Sequence, residues 1–67
     1  MTGREWIDAF AARLGVPTPD DAMVEQLLAL AAVAAHDSER LAAPLACYLV
    51  GKAGLDPADA ARLAAGG

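Results

Sequence analysis

A chain of 67 residues has room for one domain, and a domain of that size hides only about 60% of the surface its unfolded form exposes. Its net charge is −4, with five scattered basic residues, which argues against the basic patch or stripe of a nucleic-acid footprint. Cys47 is the single cysteine and His36 the single histidine, so neither an internal disulfide nor a clustered Cys/His zinc site can be assembled, and a reducing, cytoplasmic setting fits best.

The pattern reads as all-α, a compact bundle of about four short helices forming one domain over residues 1–67. Thr2 followed three residues later by Glu5 is a capping-box pattern, and Trp6, Ile7, Phe10 and Leu14 then recur at helical spacing. Helix one is expected over 3–14, with Gly15 as its stop. Val16-Pro17-Thr18-Pro19 is a stiff turn. Helix two is expected over 19–36, capped by Thr18, with Pro19 in first position and Asp20 and Asp21 against the positive end of the dipole. Met23, Leu27, Leu30, Ala31 and Ala34 share one of its faces and make it the central helix.

His36-Asp37-Ser38-Glu39-Arg40 interrupts the apolar run. Asp37 or Ser38 can cap a third helix, over about 39–53, that carries Leu41, Leu45, Tyr48 and Leu49. Pro44 leaves two alternatives: a helix from Glu39 kinked by the lost bond to the Arg40 carbonyl, or a regular helix that begins near Pro44. Gly51 and Gly54 weaken and end this helix, and Asp56-Pro57-Ala58-Asp59 starts a fourth over about 57–65. There is no strand signal and no internal repeat.

The longest uncharged apolar runs, 27–35 and 41–51, fall well short of the roughly 20 residues a membrane span needs. Glu5 stands where a signal peptide would begin its apolar stretch, and Thr2 stands where myristoylation requires glycine. The expectation is no export signal, no lipid anchor and no membrane partner.

Few residues invite a chemical role. His36, Ser38 and Glu39 lie too close along one junction for a hydrolytic triad. Cys47, in an apolar helix, reads as an inert small core residue rather than a nucleophile paired with His36. No catalytic residue, metal ligand or cofactor is expected, and the chain is read as not an enzyme. His36 reads first as a helix-ending residue that bonds the last carbonyls. An alternative joins His36, Ser38 and Arg40 into a small anion-binding site, because a guanidinium and a helix N-terminus both favour negative charge. Asp37-Ser38 at a helix start also resembles the acyl carrier proteins, whose serine bears phosphopantetheine. Here Glu39-Arg40 follow the serine where that pattern has an apolar residue, and Pro44 disturbs the helix behind it. The terminal Gly66-Gly67 resembles the tail of ubiquitin-like sulfur carriers, but those are β-grasp folds, so it reads as a frayed helix end.

Trp6 and Tyr48 are expected in the core in the first instance. Yet 57% hydrophobic content is more apolar surface than four short helices readily hide, and leftover patches of this kind mark docking surfaces. Trp6 and Tyr48 are then the interaction residues of choice.

Ala35-His36, Arg40, Ala42-Ala43-Pro44-Leu45 and Leu49-Val50-Gly51, with Trp6 and Leu14-Gly15 upstream, resemble a bacterial family of small helical domains of unknown function. Its members occur alone or at the C-terminus of MobA-like molybdenum cofactor guanylyltransferases, and the similarity covers nearly the whole chain. The resemblance implies an association with molybdenum cofactor guanylylation and supplies no catalytic residues. The resulting expectation is a non-catalytic accessory module that docks through an apolar helical face on a protein partner, such as a MobA-like guanylyltransferase, or on itself as a homodimer.

Overall fold

The computed structural model describes residues 1–66; Gly67, half of the Gly-Gly tail, lies outside them. Four helices make up the chain in the order α1 (Gly3–Leu14), α2 (Asp21–Asp37), α3 (Ala42–Ala53) and α4 (Pro57–Gly66), and the described residues contain no strand. The protein is therefore all-α. None of the helices is long and apolar enough to cross a membrane.

α1 starts on the capping box expected from its sequence. The Glu5 amide donates to Thr2 Oγ1 (3.1 Å) and the Thr2 amide donates to Glu5 Oε1 (2.7 Å), so two otherwise orphaned N–H groups are satisfied reciprocally. Gly15 ends it at φ 76°, the left-handed conformation that carries little penalty without a Cβ. The Val16 amide then closes back on the Ala11 carbonyl (3.1 Å).

α2 starts two residues later than Thr18 and Pro19 suggest. Asp20 is its cap, accepting from the Met23 amide at 2.8 Å. Thr18 is engaged elsewhere, its hydroxyl donating to Asp8 of α1 (2.6 Å), and the Pro19 carbonyl accepts from Arg4 (2.9 Å). The Arg4 guanidinium also pairs with Asp21 (2.9 Å). A polar clasp between α1 and the start of α2 thus replaces the simple cap expected at Thr18.

α3 begins at Ala42, not at Glu39, and neither Asp37 nor Ser38 caps it. Ser38 is instead the residue that closes α2, and its hydroxyl turns back to donate to the Ala34 carbonyl at 2.8 Å. Leu41 stands in the cap position with helical backbone and no side-chain hydrogen bond. Hydrogen bonds donated by the Ala42 amide to the Glu39 carbonyl (3.0 Å) and by the Ala43 amide to that of Arg40 (3.2 Å) wind the entry turn. Pro44 is consequently the third helical residue, where the absent N–H has no intrahelical partner to lose. Of the two alternatives at Pro44, the regular helix beginning nearby is the one adopted. Gly54, at φ 68°, ends α3. Asp56 Oδ1 accepts from the Ala58 amide (2.8 Å) to open α4 behind Pro57.

α2 is the spine: α3 and α4 each pack along it. The buried residues are small apart from Leu30 of α2, namely Ala11, Pro57 and Ala60. Small side chains on α4 let two backbones approach closely but remove little apolar area from water. The molecule is correspondingly extended, measuring 35 × 23 × 18 Å with a radius of gyration of 12.3 Å, against about 11 Å for a tightly packed chain of this length.

Candidate functional site

Two regions of the surface stand out: the polar junction that sequence reading marks, and an apolar helical face that it expects and places only through Trp6 and Tyr48.

At the junction, His36 lies in the last turn of α2 and Arg40 in the turn that enters α3. Both line one wide concavity with Ala32 and Ala35. Arg40 forms no salt bridge among the described residues; the ion pairs there are Arg4 with Asp8 and Asp21, and Arg62 with Asp59. Ser38 is not brought to these two as a ligand, since its hydroxyl proton is held by the Ala34 carbonyl. The amides of Ala42 and Ala43 at the start of α3 are already taken by the Glu39 and Arg40 carbonyls, and the helix begins at Ala42 rather than at Ser38, so the open helix start invoked for an anion is not formed beside Ser38. No group of three or more His, Cys, Asp or Glu residues suited to hold a metal ion occurs among the described residues. Cys47 is half-buried with its Sγ 3.9 Å from the Leu27 carbonyl, a weak contact against the spine.

The apolar face is built by α3. Ala42, Ala43, Ala46, Cys47 and Val50 are its half-buried positions, whereas Leu41, Leu45, Tyr48 and Leu49 are exposed. A soluble helix normally turns its large apolar side chains inward; this one turns its small residues inward and its large ones out. Tyr48 is 63% exposed and Leu49 64%, which corrects the expectation that Tyr48 belongs to the core. α3 and α4 flank α2 without closing on each other, and the gap between them is a groove floored by Leu30 and walled by Leu49, Val50, Ala53, Leu55 and Leu63. Leu49 belongs to both the exposed stripe and the groove, so the two form one continuous surface.

Trp6 is likewise outside the core, at 54% exposure. Its ring lies 5.1 Å, centre to centre, from that of Phe10 in a tilted pair, a geometry that adds some stabilisation of its own. Together with Leu14 they make an exposed stripe along α1. Leu41, Leu45, Leu49 and Leu63 are the surface residues that sequence reasoning missed. The signal that could have found them is that α3 is apolar on all sides while being too short to span a membrane; only one side of such a helix can face α2.

No curated protein and no solved structure matches the chain. A family does match, over residues 1–66, and it is described as a domain of unknown function. Since the match takes in all four helices together with the junction and the apolar face, the chain belongs to the DUF6457 family.

Proposed function

We propose that this domain is a non-catalytic docking module that offers an apolar helical face to a protein partner or to a second copy of itself. The observation that carries the reading is where the large apolar side chains sit. Thirteen of them are exposed, and on α1 and α3 they are aligned in stripes rather than scattered. Singly exposed apolar residues are ordinary, whereas contiguous patches mark interaction surfaces. The resemblance of the His36 to Gly51 segment to domains that accompany MobA-like enzymes supports an accessory role in molybdenum cofactor guanylylation, in a bacterial cytoplasm, with the nucleotidyl transfer done by the partner. Biolayer interferometry with this chain immobilised and a purified MobA-like guanylyltransferase from the same genome tests that role. Saturable binding that weakens in Trp6→Lys or Leu45→Glu is the expected result. Absence of binding by the intact chain would remove the link to guanylylation.

A second reading, a small anion-binding module, keeps one observation in its favour: His36 and Arg40 line the same concavity and Arg40 has no carboxylate partner among the described residues. Thermal-shift titration with phosphate, nucleotides and pterins separates it from the first, because any stabilisation should vanish in Arg40→Ala. The carrier reading at Ser38 finds no comparable support, since that serine closes α2 instead of opening a helix.

A further inference from the structure

We infer that the outer face of α3 is a self-docking surface: two copies of this chain pair through α3, antiparallel about a two-fold axis, with Leu41, Leu45, Tyr48 and Leu49 at the contact. The inference rests on the docking reading above and names the occupant.

Spacing carries the first part. Leu41, Leu45, Tyr48 and Lys52 fall at i, i+4, i+7 and i+11, the 3.5-residue repeat that keeps one seam of a helix against a facing helix. Ala43, Ala46, Cys47 and Val50, on the other side, are the residues turned toward the rest of the chain, so the seam is unused within one copy.

Area carries the second. The accessible surface is 5017 Å², whereas a folded monomer of 6.8 kDa exposes about 4,000 Å². The excess of about 1,000 Å² is spread over the whole chain, the stripe on α1 included, and is of the order of the ~800 Å² that each partner contributes to a stable interface. Continuity through Leu49 into the α3–α4 groove, with Leu63 on its wall, supplies width beyond a single seam.

Charge carries the orientation. The seam has one charged member, Lys52, at its C-terminal end, while Asp37 and Glu39 outweigh Arg40 before its N-terminal end. Parallel pairing would set Lys52 against its own copy and align the two helix dipoles. Antiparallel pairing opposes the dipoles, sets Leu45 across from Tyr48 on either side of the axis, and sets Lys52 across from Leu41 of the second copy, two residues along from Glu39 with Arg40 between them. Such an arrangement is self-complementary, as a two-fold interface requires.

Sedimentation equilibrium of the full chain from micromolar to near-millimolar concentration tests this, with circular dichroism as the check on folding. The expected mass rises from 6.8 kDa to twice that. Leu45→Glu, at a position outside the core, should stay helical and raise the dimer dissociation constant roughly thirtyfold or more, while Trp6→Lys leaves it unchanged. Lys52→Glu should weaken pairing, and adding Glu39→Lys to it should restore pairing. A dimer broken by Trp6→Lys but not by Leu45→Glu would overturn pairing through α3 and leave the docking reading intact. A dimer strengthened by Lys52→Glu alone would overturn the antiparallel orientation. A chain that stays monomeric throughout overturns self-docking. In that case strong binding of an apolar dye, lost in Leu45→Glu, keeps the face as a site for a different protein, and no dye binding sinks both readings.

Discussion

Replacing Leu30 by alanine should show how little interior this domain has. Leu30 is the most buried large side chain, 3% exposed, and it forms the floor of the groove between α3 and α4. Removing three carbons from it forfeits about 2.4 kcal/mol of transfer free energy at ~0.8 kcal/mol per carbon. A sealed cavity would add to that, up to the ~5 kcal/mol seen when a core cannot relax. Here the space opens into the groove, so the cavity contribution is small and the expected cost is about 2.5–3 kcal/mol. For a domain of this length the whole stability is about 3–10 kcal/mol, and the loss should lower the melting temperature by roughly 15–20 °C. Leu28→Ala on the same helix is the control: its side chain is exposed and the change should stay within about 0.5 kcal/mol. Urea unfolding followed by circular dichroism, at one fixed protein concentration, measures both. If Leu30→Ala costs no more than Leu28→Ala, the interior does not lie where α2 meets α3 and α4.

Two glycines of one helix should respond with opposite sign to alanine, read by the same unfolding curves. Gly51 lies inside α3 with no atom within 4 Å of an added Cβ, so Gly51→Ala should stabilise by about 0.5–1 kcal/mol; Gly54 sits at φ 68° with equally open space, so Gly54→Ala should destabilise by about 1 kcal/mol through backbone strain alone. Thr2→Ala removes the capping box and should cost about 1 kcal/mol, visible as faster amide exchange in α1 with α2 unaffected. Asp20→Ala should cost a similar amount, about 1 kcal/mol, and Thr18→Ala should leave α2 intact; the reverse result would restore Thr18 as the cap.

Local rules carry the sequence reading far where the deciding partner is close in the chain. The Thr2–Glu5 box, the Gly15 and Gly54 stops and the Asp56–Pro57 start are all settled within a few residues. The start of α2 is not, because Thr18 and Asp20 are both competent caps and a side chain on another helix, Asp8, claims the Thr18 hydroxyl. The polar stretch before α3 misleads for a related reason: Ser38 has an acceptor behind it, the Ala34 carbonyl, as good as any amide ahead. Pro44 was the better guide, since helix entry is displaced until the proline falls in the first turn. The face of α3 is harder still. With apolar residues all round, periodicity gives no preference between two inward faces, and side-chain volume decides: alanine, cysteine and valine let α3 approach α2, which leaves leucine and tyrosine outside. His36 and Arg40 line one concavity, whereas the Ser38 hydroxyl is turned back to the Ala34 carbonyl.

The clasp that joins α1 to α2 has a consequence for how the molecule comes apart. Arg4 with Asp21 and the Pro19 carbonyl, and Thr18 with Asp8, are all exposed contacts, of the kind that electrolytes screen. The union of α2 with α3 and α4 depends instead on burial, which excluded salts such as sulfate reinforce. α1 is held in addition by the buried Ala11, so electrolyte loosens only the polar part of its attachment, while sulfate tightens the burial that joins the other three helices.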